Sequence, residues 1–180
     1  MNLDGGVHDI PVVGLTGRMW LCGKHVIGPD VEALLARTVA SHVVCLVQRH
    51  ELVDRYDGYV RWLDRATREG RATWFPVHDL SAPAHEPFVP LVQNVHRRLA
   101  SGENVVVHCA AGKGRAGTLA VAVCLRAGMT VADALAHVRR HRPGAGPEVG
   151  EQSDLVGRLE RDFAVGSHHP VETGERRDRQ

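Results

Sequence analysis

Lysine is nearly absent from this chain: Lys24 and Lys113 are the only two, against twenty arginines. Other absences exclude whole classes of function. The formal net charge is +1 over 180 residues, so there is no general basic field and no support for nucleic-acid binding. No apolar stretch reaches the ~20 residues a membrane span requires, and the N-terminus lacks a signal peptide's apolar core. A cytoplasmic location is therefore expected. Cys22, Cys45, Cys109 and Cys124 form no Cys-x-x-Cys pair and no Cys/His cluster at zinc-finger spacing, which argues against a metal centre. No internal repeat or domain boundary is visible.

What remains is ordinary for one globular domain: 43% hydrophobic and 24% charged residues, with enough length to bury a core without disulfides or metal. Residues 1–8 read as a loose end and 9–165 as the domain. The stretch 166–180 is charged, poor in apolar residues and expected to be disordered. Strands are expected at Arg18–Cys22, Val43–Val47, Ala72–Val77 and Asn104–His108. A helix begins after Asp30, a plausible N-cap, with Val31, Leu34 and Leu35 inward. Helical pattern covers Glu51–Arg68 in two pieces broken near Asp57-Gly58, with Leu52, Tyr56, Tyr59 and Leu63 inward. Further helices are expected at Pro87–Ala100, Ala116–Ala127, Val131–His141 and Glu151–Ala164. Alternation of strand and helix implies a single α/β domain: a central, mostly parallel twisted sheet of about four to five strands, with helices on both faces. Ligands in such sheets bind beyond the carboxyl ends of the strands.

At one such end stands Asn104-Val-Val-Val-His108-Cys109-Ala110-Ala111-Gly112-Lys113-Gly114-Arg115. Three valines feed a cysteine, a glycine-containing loop follows, and an arginine closes it. Gly112 and Gly114 permit backbone angles that turn successive N–H groups inward around an oxyanion. The amides of 110 to 115, a helix N-terminus and Arg115 would hold Cys109 ionised, since a thiol pKa falls to roughly 3.5–7.5 in such surroundings. The planar guanidinium of Arg115 matches two phosphoryl oxygens where a lysine gives a point charge. Cysteine and arginine at this spacing also recur by chance; the strand, the glycines and the apolar helix that follows favour the chemical reading.

A second feature is independent. Trp74-Phe75-Pro76-Val77-His78-Asp79 sets a carboxylate just after a strand, in a proline-flanked loop. Departure of an alkoxide or phenolate requires a proton, which Asp79 can supply. The plainer role is a turn-forming aspartate.

His108-Cys109-x5-Arg115 together with Phe75-Pro76-x-x-Asp79 resembles the cysteine-based protein-tyrosine and dual-specificity phosphatases. Arg142-Pro143-Gly144 and Glu151-Gln152 are similar to the closing segment of the compact branch that holds the cyclin-dependent-kinase-associated and mitotic-exit phosphatases. The resemblance spans Arg18 to Phe163. It implies a two-step reaction on a phosphorylated protein or peptide: Cys109 forms a phosphocysteine, Asp79 protonates the leaving oxygen and then activates water, and Arg115 with the loop amides holds the phosphoryl oxygens. His108 would tune the thiolate and order the loop, and Gln152 matches a residue that helps place the hydrolytic water. No cofactor or metal is required, and inhibition by phosphate-like oxyanions is expected.

The chain departs from that family at Ala116, where a serine or threonine usually follows the loop arginine and stabilises the departing thiolate. Thr118, two residues on, points about 200° away along a helix, so breakdown of the phosphocysteine is expected to be slow relative to its formation. Lys113 raises a second substrate class: Gly-Lys-Gly-Arg loops occur in phosphoinositide phosphatases of the same superfamily, although the other lysine of those loops is Ala110 here. Two further rivals are a rhodanese-type sulfurtransferase, which needs no acid such as Asp79, and a non-catalytic phosphoprotein-binding module, suggested by Ala116. Cys22, Cys45 and Cys124 read as packed hydrophobes, with a resolving thiol for Cys109 as the alternative. Arg49, His50, Glu51, His78 and Arg142 could ring the pocket, with surface solvation the plainer role for each; His168-His169 read as a tail pair able to bind adventitious metal, and Trp20, Trp62 and Trp74 as core anchors.

Overall fold

Three valines in succession, Val105, Val106 and Val107, are wholly buried, as a strand covered on both faces requires. The computed structural model describes residues 2–3 and 6–166. In chain order the elements are β1 (Asn2–Leu3), β2 (Val7–Pro11), β3 (Arg18–Gly23), α1 (Lys24–Ile27), α2 (Val31–Thr38) and β4 (Ala40–Cys45). A 3-10 turn at Arg49–Glu51 precedes α3 (Asp57–Arg68), β5 (Ala72–Trp74), α4 (His85–Ala100) and β6 (Asn104–Cys109). Helices α5 (Gly114–Arg126), α6 (Val131–His141) and α7 (Gly150–Gly166) complete the fold.

The sheet order is β1-β2-β3-β6-β4-β5. Strands β3, β6, β4 and β5 are parallel, and β2 and β1 continue antiparallel beyond β3. The chain moves one way across the sheet from β3 through β4 to β5, then returns to β6. Right-handed crossovers therefore place α1, α2 and α3 on one face and α4 on the other. Helices α4, α6 and α7 pack around α5, every residue of which from Gly114 to Leu125 is buried. That explains why α5 is apolar on all sides rather than along one stripe.

The mostly parallel α/β architecture is the expected one, with six strands rather than four to five. The difference lies at the N-terminus. Val7 and His8, read as part of a loose end, belong to β2, where Val7 is fully buried. The charged and proline-bearing sequence Val7-His-Asp-Ile-Pro11 hid the strand. Its Asp9 is buried because it pairs with Arg18, and His8 Nδ1 meets the carbonyl of His141 at 2.9 Å. Strands β4 and β5 also end sooner than apolar character implies. Leu46 and Val47 are buried, but the Val47 carbonyl accepts from Trp74 Nε1 at 2.8 Å, outside the ladder. Beyond β5, Phe75 N–H and Val77 N–H still bond to Cys45 and Leu46 carbonyls, whereas Pro76 has no N–H to give. Asp30 caps α2 by accepting from Ala33 N–H at 2.9 Å. Residues 167–180, including His168 and His169, lie outside the described residues.

Helices that return between parallel strands run opposite to them. The N-termini of α2, α3, α4 and α5 consequently share the end of the molecule where β6 finishes in Cys109.

Candidate functional site

The loop from Ala110 to Lys113 is held by its carbonyls. Ala110 O accepts from Lys24 N–H at 3.1 Å and Lys113 O from Gly117 N–H at 2.7 Å. Between them, one guanidinium takes two more: Arg142 Nε donates to Gly112 O at 2.5 Å and Arg142 NH2 to Ala111 O at 2.8 Å. Every peptide bond here is trans, so a carbonyl tied outward turns the N–H of the same unit to the opposite side. The N–H groups of residues 111 to 114 thus face away from those anchors, toward the concave side of the loop. Gly112 has φ +71, and a Cβ there would lie 2.3 Å from the Cys22 carbonyl oxygen. Only glycine fits. Gly114, by contrast, starts α5 without a positive φ; a Cβ there would meet the movable carboxylate end of Glu148, so its glycine provides room rather than a special dihedral.

Cys109 ends β6 directly beneath this loop. It is 3% exposed, whereas Cys22, Cys45 and Cys124 are fully buried, so Cys109 is recessed rather than sealed. The guanidiniums of Arg115 and Arg142 both interact electrostatically with it. Burial pushes the other three thiols up to about 12, which keeps them protonated and unreactive.

Arg115 is buried, and its partners define the rest of the site. Its NH1 and NH2 form a two-pronged pair with Glu51, at 2.8 and 3.1 Å. NH1 also donates to the carbonyl of Val77 at 2.8 Å, and NH2 lies 3.0 Å from Asp79 Oδ1. Burial works against the Glu51 carboxylate, but hydrogen bonds from Arg115 and Gln48 N–H, with the charges of Arg115 and Lys24, outweigh it and hold its pKa below the ordinary value. Lys24 Nζ donates to Glu51 O at 2.9 Å and stands 3.7 Å from Glu51 Oε2. The strand-end loop thereby brings Asp79, 65% exposed at its side chain, to the edge of the cradle.

His108 is fully buried behind the loop. Its Nε2 is 2.6 Å from Tyr59 OH, with the rings edge to face. Burial is the main cause that pushes its pKa down to about 3, so the imidazole is neutral and lends no positive charge to the neighbouring sulfur. Gln152, also buried, clasps three segments. Its Oε1 accepts from Glu148 N–H at 2.8 Å and lies 3.3 Å from Thr118 Oγ1, while Nε2 donates to Ser81 O at 3.0 Å. It ties the turn after α6 to the loop that carries Asp79. Thr118 Oγ1 donates to Gly114 O at 2.8 Å, and Ala116 is buried.

The structure therefore brings Cys109, Ala110, Ala111, Gly112, Lys113, Gly114, Arg115, His108, Asp79 and Gln152 to one end of the sheet. It also corrects two readings. Arg142 and Glu51 are not solvated surface: Arg142 is 5% exposed and organises the loop carbonyls, and Glu51 holds Arg115. Tyr59 and Lys24 are further members that periodicity does not reveal. One signal was available for Lys24, the scarcity of lysine itself: one of the two lysines lies in this loop and the other, Lys24, bonds to it. Among the described residues no group of His, Cys, Asp or Glu has the geometry of a metal site, and no helix is long and apolar enough to cross a membrane.

Comparisons with known proteins bear on the family and the fold. A family model described as a Swiss Army Knife protein, DSP-PTPase phosphatase domain, matches residues 16–148. Dual specificity protein phosphatase 1 of Arabidopsis thaliana is 48% identical over 50 residues, which is 27% of this chain and 25% of that protein. The chain thus matches about a quarter of that curated relative's length. The crystal structure of Tk-PTP in its active form superposes with a TM-score of 0.67 at 28% identity, over 88% of this chain and 99% of the other. Kinase associated phosphatase, with its catalytic-site cysteine replaced by serine, gives a TM-score of 0.72 at 17% identity, over 91% and 99%.

Two outcomes follow from the site's construction. Arg142→Lys cannot serve two adjacent carbonyls with a planar fork; affinity for phosphate or vanadate is expected to fall about tenfold or more with the fold intact. Unchanged affinity, by isothermal titration calorimetry, excludes Arg142 as the organiser. His108 has a folded pKa below its unfolded value of 6.5, so the unfolded chain binds the proton first as pH falls. Stability from this group is complete above that pH and is lost toward about 3, costing on the order of 1–2 kcal/mol between pH 7 and 5. Urea unfolding of His108→Asn should show a correspondingly shallower pH dependence.

Proposed function

The chain belongs to the DSP-PTPase phosphatase domain family, and from that premise we propose that it hydrolyses phosphate monoesters through a phosphocysteine on Cys109, with phosphotyrosine in proteins, and phosphoserine or phosphothreonine as well, as the substrate class. The observation that carries the reading is the loop whose four successive carbonyls are tied outward above a recessed Cys109, beside a buried guanidinium. Amide N–H groups, Arg115 and the start of α5 supply fixed positive potential where the equatorial phosphoryl oxygens gather charge.

In the first step the Cys109 thiolate attacks phosphorus, the bond to the ester oxygen breaks, and that oxygen takes the proton of Asp79. An incoming phosphoryl group competes with Asp79 for Arg115, which frees the carboxyl group to face the leaving oxygen. In the second step water attacks phosphorus, its proton passes to Asp79, and the sulfur leaves as thiolate with release of inorganic phosphate. Glu51 and Lys24 keep Arg115 aimed, and neutral His108 orders the loop through Tyr59. Gln152 acts by fixing the Asp79 loop through Ser81, with both ends of its amide already engaged. Ala116 offers the departing sulfur no hydroxyl, and that of Thr118 is engaged with the Gly114 carbonyl.

Cys109→Ser should lower hydrolysis of nitrophenyl phosphate by at least about a thousandfold while phosphopeptide binding persists. Asp79→Asn should cost roughly 10²–10⁴-fold on a phosphopeptide and far less on nitrophenyl phosphate, whose leaving group barely needs a proton. An inactive parent that still binds phosphopeptide makes the chain a binding module, thiosulfate:cyanide transfer makes it a sulfurtransferase, and preferential turnover of a phosphoinositide displaces the protein substrate. Rapid-mixing assays of the parent should show a burst of one product per enzyme, and Ala116→Thr should remove it and raise turnover up to about tenfold. A burst-free parent whose turnover the substitution leaves unchanged sinks the assignment to Ala116.

A further inference from the structure

A groove of about 530 Å³ opens between the start of α2 and the start of α3. Tyr56 and Trp62, both buried, form its floor, and the exposed Arg55, Arg61 and Arg65 form its rim. These arginines are poorly neutralised. Arg65 meets Glu69 only at 3.9 Å, Arg55 lies over the Tyr56 ring, and among the described residues neither Arg55 nor Arg61 forms an ion pair. The two carboxylates of the groove face backbone instead: Asp30 accepts from Ala33 N–H at 2.9 Å and Asp57 from Asp54 N–H at 3.0 Å.

The placement of this charge disfavours the free state. Arg61 and Arg65 repel across one turn of α3, partly offset by Asp57 one turn before Arg61, and Arg55 immediately precedes the positive end of that helix. Some arginines elsewhere are closely matched, as in Arg49 with Asp64 at 2.5 Å and Arg98 with Glu103 at 2.8 Å; what sets the groove apart is that three arginines line one cavity. An anion seated in the groove relieves both repulsions at once.

The groove lies on the same end of the sheet as the cradle and is joined to it by α1. Gly28, in the groove wall, bonds through its N–H to Lys24 O at 2.8 Å, and Lys24 N–H bonds to Ala110 O in the cradle. One turn of helix, about 6 Å of rise, thus links the groove wall to the outer side of the loop; an extended peptide covers that rise in about two residues, and two to four allow for its path around the rim. Tyr59 lines the groove and hydrogen-bonds to His108 beside the nucleophile.

We propose that this groove is a second anion subsite, which takes an acidic or phosphorylated side chain two to four residues from the phosphoresidue of a protein substrate. The proposal rests on the phosphatase reading of the cradle and names what that site selects. A groove with an aromatic floor and three arginines suits one side chain, whereas a membrane surface needs a broad basic face that a net charge of +1 does not provide.

The test compares a phosphotyrosine peptide with neutral flanks to the same peptide carrying glutamates or a phosphoserine three residues to either side. The parent should favour the acidic peptides by about three- to tenfold in kcat/KM, chiefly through KM and less so at high salt. Arg55→Gln/Arg61→Gln should abolish that preference and leave the neutral peptide and nitrophenyl phosphate unchanged. Equal use of all peptides by the parent, or an equal loss on every substrate in the variant, overturns the subsite. So does arginine-dependent retention on phosphatidylserine vesicles without peptide preference. Nitrophenyl phosphate reports the cradle alone: if it is not turned over, the binding constants of the same peptides decide the subsite separately, with a lost preference in the variant supporting it and equal affinities overturning it.

Discussion

The outward pull on four consecutive carbonyls is the constraint on which this site depends. A peptide unit is rigid, so its N–H can be aimed only by fixing its C=O. Arg142 fixes two of these units from behind, Lys24 N–H a third, and the first turn of α5 the fourth. The cost of burying Arg142 is offset by the carbonyls of Gly112, Ala111 and Gly6, which leave its charge hydrogen-bonded as a buried guanidinium requires. The positive φ of Gly112, with the Cys22 carbonyl where a side chain would be, follows from the same close packing against β3.

Around that frame the charges are nested. Glu51 neutralises and orients Arg115, Lys24 steadies Glu51, and Asp79 touches Arg115 from the solvent side. This layering resolves a conflict between two needs of phosphate chemistry. The site must attract an anion, yet an isolated buried guanidinium carries a large desolvation penalty. Pairing with Glu51 meets the second need, and the loop amides together with the start of α5 meet the first without adding a mobile charge. His108 fits the same logic, since a neutral imidazole adds hydrogen bonding but no competing cation beneath the sulfur.

Much of this was legible in one dimension because it is local. The three valines, the cysteine, the two glycines and the arginine lie within twelve consecutive residues, and an apolar helix must follow to bury the loop's far side. The strand–helix alternation implies a mostly parallel sheet for the same reason: each helical stripe and each apolar run declares what it covers. The miss at β2 shows the limit of that method. Val7-His-Asp-Ile-Pro11 is polar by composition, and only its partners, Arg18 and His141, make it a strand that can be buried.

Sequence by itself marked the candidate nucleophile Cys109, the closing Arg115, the candidate acid Asp79 two strands away and the fold that gathers them, because residue type and periodicity encode local geometry. It could set Arg142 and Glu51 at the pocket only as an alternative to solvated surface, offered nothing for Lys24 beyond the scarcity of lysine, and did not reveal Tyr59 as part of the site. Each lies far along the chain from Cys109 or Arg115, and a charged side chain reads as solvated until packing supplies its partner. Tertiary structure alone decided which arginines are spent inside the protein and which are left unneutralised at the groove above α3, since that distinction depends on distances between residues that no spacing rule connects.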